Sequence, residues 1–259
     1  MNTDILRSEL IDKEILKEII YFEELESTNE YAKKNNAHSD TIVIASHQTS
    51  GKGRFNRQWK TSHSKDLTFS IVKSFNIRVD EIHLVNFYTS YMLLTVLKNY
   101  FLKTPGLNFS LKWPNDILLN RKKIAGLLLD VKDLNSEFKK FIIGIGINCN
   151  GDIIPEELQV KATSLFRETN SEINRENFLV LFVTGFYENL FLLNNKNDLM
   201  QKWKDNSHTI SSKVSFRKVD DDEEQPVTVT DIDPDGALIV KTEEGKIMKY
   251  YSGEISLGY

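Results

Sequence analysis

Apolar residues up to residue 205 follow two different patterns of spacing. Short apolar runs that are rich in Ile, Leu and Val are typical of buried strands, whereas longer stretches with their apolar residues on one face are typical of helices. Strand-like and helix-like segments alternate along the chain, which predicts helices packed on a mixed sheet. The predicted strands are residues 41–46, 67–73, 124–131 and 141–147, and the predicted helices are residues 81–103 and 174–193.

After residue 208 the pattern contains only short strands separated by turn sequences, which predicts a small β-barrel. We therefore predict two domains, residues 1–208 and residues 209–259. The short strands are residues 214–216, 227–232, 237–241 and 247–251.

The N-terminal segment mixes charged and apolar residues, so it has no signal-peptide core, and no stretch of the chain is apolar enough to cross a membrane. The single cysteine, Cys149, excludes an intramolecular disulfide, as is typical of a reducing compartment. We expect a soluble, cytoplasmic protein without membrane contact. The apolar positions of the N-terminal segment, predicted to pack on the first domain, are Ile5, Ile11, Ile15, Leu16 and Ile19.

Charge and motif content exclude several function classes. The net charge of −4 provides no overall basic field for binding nucleic acid. No P-loop sequence occurs, and the five histidines lack metal-ligand spacing. Residues 231–242 begin like a calcium-binding loop, but Thr242 stands where a bidentate glutamate is needed. Gly144-Ile145-Gly146 begins like a dinucleotide fingerprint, but Cys149 stands at the third glycine position.

The most unusual segment directly follows a predicted strand, where residues 48–59 read QTSGKGRFNRQW. Its glycines let the backbone approach an anion closely, and Lys52, Arg54 and Arg57 offer charge-assisted donors to carboxylate or phosphate oxygens. Taken alone, the segment could equally be a solvated loop.

A hairpin over residues 112–126 carries a second polar cluster, because residues 112–116 read KWPND and residues 123–126 read KIAG. The polar residues 120–123 form the predicted turn. Pro114 removes a donor from the strand ladder, so it belongs at an edge or a bulge, where neighbouring polar groups can face a ligand. An ordinary hairpin would explain this cluster if it stood alone.

Together these segments resemble the biotin protein ligases from Ser27 to the C-terminal GEISL sequence at residues 253–257. The resemblance implies an α+β fold, with a mixed-sheet catalytic domain of the biotin/lipoate protein ligase type followed by a small SH3-like β-barrel. The motifs that carry it, in order, are Ser27-Thr28-Asn29, Gln48 with residues 51–59, residues 112–116, residues 123–126, and residues 144–148 (GIGIN).

The resemblance also implies a two-step reaction. ATP would activate biotin to biotinyl-5'-AMP, and the biotinyl group would pass to a lysine of a biotin carboxyl carrier protein or domain. Lys123 would stabilise the charge that develops at the reacting carboxylate and phosphate. Asp116 would orient or deprotonate the incoming amine. Mg²⁺ would be held through the phosphates, and we predict no metal-binding residue.

The implied site falls into three overlapping groups of residues. Catalysis would involve Lys123, Arg54, Asp116 and Lys112. Biotin would contact Ser27, Thr28, Asn29, Gln48, Gly51, Lys52, Gly53, Arg54, Lys123 and Gly126. ATP would contact Arg54, Arg57, Trp59, Lys112, Asn115, Asp116, Lys123 and Asn148.

Two departures from the family pattern qualify these expectations. Lys52 replaces an arginine and Asn56 replaces a glycine, which predicts altered loop dynamics with anion binding kept. Only 26 residues precede Ser27, too few for the helix-turn-helix domain of some members, so we expect no DNA binding. The resemblance allows a homodimer. A lipoate protein ligase and a non-catalytic biotin-sensing regulator stay as alternatives.

Overall fold

The computed structural model of the chain describes residues 1–60, 62, 64–152, 160–218 and 223–257. The chain forms a seven-stranded sheet with helices, followed by a five-stranded sheet. This confirms the predicted α+β class, a mixed sheet followed by a small C-terminal β-domain. No helix in these ranges is both long and apolar enough to cross a membrane.

The strands of the first sheet are β1 (Glu18–Leu25), β2 (Thr41–Gln48), β3 (Leu67–Asn76), β4 (Phe109–Lys112), β5 (Asp116–Leu119), β6 (Lys122–Lys132) and β7 (Phe138–Ile147). Their order is β1-β2-β3-β7-β6-β5-β4. Strands β1 and β2 run parallel, and every other neighbouring pair is antiparallel. The sequence analysis missed β1 and β4. The apolar run at residues 19–22 was the available signal for β1.

The two faces of this sheet differ in their side chains. Along β7, Ile143, Ile145 and Ile147 belong to the main hydrophobic core, whereas Gly144 and Gly146 lie on the opposite face because side chains alternate along a strand. Helices pack on the isoleucine face, and the glycine face is left open for the site described below.

The helices are α1 (Thr3–Leu6), α2 (Thr28–Lys34), α3 (His83–Tyr100), α4 (Leu165–Thr169), α5 (Arg175–Glu188) and α6 (Lys196–Asp205). Both predicted long helices are present, as α3 and α5, and each is a few residues shorter than predicted. They pack against one another over the isoleucine face, where Phe182 of α5 contacts Phe69 of β3. Short α2 lies on the other face, and Ser27 caps it by accepting a hydrogen bond from the Glu30 N–H.

The predicted hairpin turn is tighter than expected. Only Asn120 and Arg121 separate β5 from β6, and both have positive φ, 49° and 70°. This two-residue turn matches the right-handed twist of the flanking strands. Lys122 and Lys123 consequently lie in β6 rather than in the turn, which brings Lys123 beside the ends of the neighbouring strands.

The second sheet consists of β8 (Lys213–Arg217), β9 (Gln225–Ile232), β10 (Leu238–Thr242), β11 (Ile247–Tyr250) and β12 (Glu254–Leu257), in the order β11-β10-β9-β8-β12. Four of these strands match predictions, and β12 was missed. The predicted domain boundary at residues 208–209 lies between α6 and β8. Most of the acidic run at residues 220–224 lies outside the described residues.

The N-terminal segment packs on the first sheet's core, as its amphipathic pattern predicts. The residues that bury most completely, however, are Leu6 and Leu10. Ile5, which the pattern assigned to the buried face, is exposed. The cause is helix geometry, because neighbouring residues of a helix point in different directions and the burial of Leu6 in α1 turns Ile5 away from the core.

Candidate functional site

One row of residues that crosses the strands of the first sheet forms the base of a large cavity. Lys112 pairs with Asp116, Asp116 with Gly126, Gly126 with Gly146, and Gly146 with Thr68, across β4, β5, β6, β7 and β3. The row therefore has two charged side chains at one end and two residues without side chains in its middle. We call Gly126, Gly144 and Gly146 the glycine floor.

Each glycine of the floor is in contact with a side chain above it. A Cβ on Gly146 would lie 2.3 Å from Cε2 of Trp59, and a Cβ on Gly144 would lie 2.3 Å from Oδ1 of Asn29. A Cβ on Gly126 would lie 2.9 Å from Nζ of Lys123. The separations at Gly144 and Gly146 are far below van der Waals contact, so these two positions require glycine, whereas at Gly126 the end of the flexible Lys123 side chain would have to move.

At the end of the cavity near β2, neutral hydrogen-bonding groups are aligned in a fixed direction. Oε1 of Gln48 accepts from the backbone N–H of Thr28 at 2.8 Å, with the Thr28 hydroxyl at 3.2 Å. The oxygen of the Gln48 amide is thereby used, and its NH₂ group, which lies near Gly51, is the donor that this cavity-lining side chain can offer. This end of the cavity offers donors to a neutral polar ligand.

Ser70 sets the direction of the Thr28 hydroxyl. It lies 2.5 Å from Oδ1 of Asn29 and 2.7 Å from the Thr28 oxygen. Since an amide oxygen cannot donate, the Ser70 proton goes to Asn29, and Thr28 must donate its proton within the protein. Thr28 therefore faces the cavity as an acceptor. Ser70 was missed by the sequence analysis, which had no signal for it within a buried strand.

The Asn29 amide is fully engaged below the cavity. Its NH₂ group donates to Oδ2 of Asp130 at 2.9 Å and to the Leu128 carbonyl at 3.3 Å, and its oxygen accepts from Ser70. The structure thus gives Asn29 the task of anchoring α2 on the sheet. Its predicted contact with a ligand stays a prediction.

The glycine-rich loop forms a small hairpin over the cavity. The Gly53 N–H donates to the Arg57 carbonyl and the Trp59 N–H to the Gly51 carbonyl, each at 2.8 Å. Phe55 at the tip has a left-handed conformation with φ 55°. Lys52 extends sideways to Glu30 of α2 at 3.3 Å, so in this structure its charge joins the loop to α2.

The opposite end of the cavity is cationic. Nζ of Lys123 pairs with Oδ1 of Asp116 at 2.6 Å and lies 5.3 Å from the centroid of the Trp59 ring. Lys112 has no ion pair among the described residues. Burial lowers the pKa of Lys112, the Asp116 carboxylate opposes that shift and the charge of Lys123 adds to it. A partly buried cation that forms no ion pair of its own favours an anionic ligand.

Arg54 and Arg57 leave the loop in different directions. Arg54 reaches Oδ1 of Asn115 and the Ser252 hydroxyl, both at 3.4 Å, and burial lowers its pKa. The Asn115 amide also donates to the Leu127 carbonyl at 2.6 Å, which fixes its oxygen toward Arg54. Arg57 pairs with Glu254 of β12. Its charge is therefore engaged with the second sheet in this structure.

Glu254 joins the loop to the C-terminal domain, because Arg217 of β8 binds the same carboxylate. Burial opposes ionisation, but the hydrogen bond from Arg217 and the charge of Arg57 outweigh it and lower the pKa of Glu254. The sequence analysis named Glu254 within a motif and gave it no role, because the partners of this side chain cannot be deduced without the fold.

The base of the loop is anchored by Asp66, also missed from the sequence. Its carboxylate accepts from the Ser62 N–H at 2.7 Å and the Cys149 N–H at 3.0 Å. Burial raises its pKa despite these hydrogen bonds. Asn148 has a similar structural task, since its amide donates to the Thr163 carbonyl at 2.9 Å while the residue lines the cavity.

The cavity has a volume of about 940 Å³, and every predicted site residue except Gly51 lines it. It joins a neutral hydrogen-bonding end to a cationic end across the glycine floor. Such a site fits a ligand with an uncharged polar head and an anionic tail. Among the described residues, no group of three or more His, Cys, Asp or Glu side chains could hold a metal ion.

Known protein families match both parts of the chain. Residues 21–148 match the biotin/lipoate A/B protein ligase family, and residues 218–258 match the biotin protein ligase C-terminal domain. The two matched regions include nearly all of the first sheet and most of the second.

Individual proteins that resemble the chain agree with this. The structure resembles that of a biotin protein ligase from Aquifex aeolicus in complex with biotin and ATP, with a TM-score of 0.76, 29% identity and coverage of 93% of this chain and 98% of that one. A bifunctional ligase/repressor BirA from Bacillus spizizenii is 28% identical over 93% of this chain and 74% of its own length. A biotin–[acetyl-CoA-carboxylase] ligase from Mycobacterium tuberculosis is 30% identical over 48% of this chain and 44% of its own.

We predict that Gly144→Ala destabilises the fold, because the new methyl group would displace Asn29 and with it α2. The free energy of unfolding should fall by about 1–3 kcal/mol, measured by urea denaturation. Gly185→Ala is the matched control, since its Cβ meets only ordinary contacts, 3.6 Å from Val96, inside α5. It should raise stability by about 0.5–1 kcal/mol. Equal effects of the two substitutions would contradict the close contact at Gly144.

We also predict that Glu254→Gln weakens the junction between loop and C-terminal domain in a pH-dependent way. Because the folded pKa of Glu254 lies below its value in the unfolded chain, its contribution is complete above about pH 4.3 and is lost as the pH falls through the lowered pKa. At pH 7 the variant should be less stable by about 1 kcal/mol.

Urea denaturation between pH 7 and pH 3 measures this difference. Glu244→Gln, which makes the same charge change on an exposed turn of the same domain, is the control. A difference between Glu254→Gln and wild type that stays constant down to pH 3 would disprove the ion-pair origin.

Proposed function

This chain belongs to the biotin protein ligase family and is an enzyme that ligates biotin, and from that premise we propose that it makes biotinyl-5'-AMP and transfers the biotinyl group to a carrier-protein lysine. The observation that carries the proposal is the polarity of the cavity. Biotin has an uncharged ureido ring and one carboxylate, which matches the neutral end at Gln48 and Thr28 and the cationic end at Lys112 and Lys123.

In the first step a biotin carboxylate oxygen attacks the α-phosphorus of ATP, and pyrophosphate leaves with the electron pair of the broken P–O bond. The carboxylate is already ionised at neutral pH, so no base is needed. The protein's task is to hold two anions together. Lys123, Lys112 and Arg54 supply the positive charge, and Lys123 can turn from Asp116 to the reacting oxygens.

Mg²⁺ belongs to this proposal as a partner of the triphosphate. The described carboxylates of the cavity are largely engaged, Asp66 with backbone N–H groups, Asp116 with Lys123 and Glu254 with two arginines. That arrangement fits a metal ion held mainly by phosphate oxygens. When bound, it would neutralise part of the triphosphate charge.

In the second step the ε-amine of the carrier lysine attacks the acyl carbon, and AMP leaves. The amine must lose a proton, yet a lysine of pKa about 10.4 is almost entirely protonated at neutral pH. Once Lys123 has moved to the phosphate, the Asp116 carboxylate is left without its partner. We propose that it then orients the incoming amine and accepts its proton.

The test of this function is the mass of a carrier domain with one acceptor lysine, after incubation with the enzyme, biotin, ATP and Mg²⁺. A gain of one biotinyl group only when ATP is present is the expected result. Lipoate is offered in a parallel reaction. A lipoyl gain without a biotinyl gain, or no gain with several carrier domains, would contradict the proposal.

Lys123→Ala should remove most of the adenylation rate, because the developing charge loses its closest cation. We expect the rate of biotin-dependent pyrophosphate release to fall at least about a hundredfold. Lys122→Ala is the matched control, since Lys122 precedes it in β6 and does not line the cavity. A Lys123→Ala variant as active as Lys122→Ala would remove Lys123 from the mechanism.

Asp116→Asn should slow the second step even when the first is bypassed. With preformed biotinyl-adenylate and the carrier domain, we expect the transfer rate to fall about a hundredfold. The deficit should shrink as the pH rises, because more of the acceptor amine is then neutral without help. An unchanged transfer rate at pH 7 would disprove this role of Asp116.

A further inference from the structure

Trp113, in the middle of the KWPND segment, is held by the C-terminal part of the chain. The residue is 2% exposed. Its indole N–H donates to the Gly236 carbonyl at 3.0 Å, and its backbone N–H donates to the Thr209 hydroxyl at 3.1 Å. Both acceptors follow α6, and Gly236 lies in the turn between β9 and β10. The segment between β4 and β5 therefore takes its support from the C-terminal domain and from the connection leading into it.

The same connection completes the edge of the first sheet. The Leu111 N–H donates to the Asn206 carbonyl, and the His208 N–H donates to the Leu111 carbonyl, each at 2.8 Å. These bonds satisfy the outer edge of β4, whose inner edge pairs with β5. Lys112 is thus the last residue of a strand that the connection fixes from outside.

The turn that contains Gly236, whose carbonyl accepts the indole hydrogen bond, packs tightly against α3. Gly236 has φ 80°, and a Cβ there would lie 2.7 Å from Cδ2 of His83 and 3.0 Å from the Phe87 ring at the start of α3. The Pro234 carbonyl lies 3.3 Å from Nε2 of His83. The turn therefore sits against both α3 and Trp113, and its position sets the position of the indole.

Trp113 lies between the residues that form the cationic end of the cavity. Lys112 precedes it, and Asp116, which pairs with Lys123, lies opposite Lys112 in the register of β4 and β5. Because Lys112 has no ion pair among the described residues, the place of its charge depends on where the backbone of β4 puts the side chain. Asn86 holds the far side of the segment by donating to the Pro114 carbonyl at 2.7 Å.

We propose that Trp113 is a positioning residue through which the C-terminal domain aligns Lys112 and Asp116 for the nucleotide. The inference rests on the proposed function, because it assigns the triphosphate to the cationic end. It gives the C-terminal domain a task in the first step that needs no contact between that domain and ATP.

The proposal predicts that loss of the Trp113 contacts impairs the enzyme's use of ATP and leaves its binding of biotin intact. Thr28 and Gln48 lie on α2 and β2, and none of their described hydrogen bonds involves residues 206–237. Loosening Trp113 should therefore weaken the use of ATP and leave biotin affinity unchanged. A general loss of packing would affect both substrates, or neither.

The test compares Trp113→Phe with Trp203→Phe. Trp203 is equally buried, and its indole N–H donates to the Ser90 hydroxyl at 2.9 Å, so each variant loses one buried indole hydrogen bond. Trp113→Phe should lower kcat/KM for ATP about tenfold in pyrophosphate release, with the biotin Kd within about twofold of wild type by calorimetry. Trp203→Phe should lower the melting temperature alone.

A second pair of variants guards against a Trp113→Phe protein that fails to fold. Thr209→Val removes the acceptor for the Trp113 backbone N–H, and Thr209→Ser keeps it. The valine variant should repeat the ATP defect, and the serine variant should restore kcat/KM for ATP.

Two results would overturn the inference: equal ATP defects in Trp113→Phe and Trp203→Phe, or an ATP defect in Thr209→Ser as large as that in Thr209→Val. A wild-type protein that releases no pyrophosphate with biotin and ATP would instead refute the proposed function.

Discussion

The close approach of side chains to the glycine floor is the constraint on which the rest of the site depends. Asn29, Trp59 and Lys123 each occupy space that a Cβ on Gly144, Gly146 or Gly126 would fill. Because these three side chains come from α2, the glycine-rich loop and β6, the floor is where three separate motifs meet. Their spacing in sequence becomes a common site only because β6 and β7 have glycine at these three positions on this face.

The cavity above the glycine floor changes from neutral at one end to positively charged at the other. At one end the Gln48 amide, the Thr28 hydroxyl and Ser70 form a neutral network of hydrogen bonds. At the other end Lys112 and Lys123 bring two positive charges together, while the Asp116 carboxylate pairs with Lys123 and the Glu254 carboxylate is held by two arginines. A ligand that spans the floor must therefore be neutral at one end and anionic at the other, which is the common requirement of both proposed steps.

The sequence was sufficient to predict the α+β class, the two long helices and a set of site residues of which all but Gly51 line the cavity, because glycines, cations and turn residues leave local signals. It was not sufficient to predict their partners. Arg57 carries the same local signal as Arg54, yet it is engaged by Glu254 almost two hundred positions later. Asn29 reads as a polar contact in a motif, yet its amide is directed into the protein by Asp130 and Ser70. Such partners depend on strand order and register, which no local pattern specifies.

A crystal structure with a non-hydrolysable analogue of biotinyl-5'-AMP would test the polarity of the site most directly. The account predicts that the ureido ring lies against the Gln48 amide and Thr28, with the acyl-phosphate linkage crossing the glycine floor to Lys123 and Lys112. An analogue bound in the reverse direction, or bound outside the cavity with Trp59 and the floor unchanged, would contradict it.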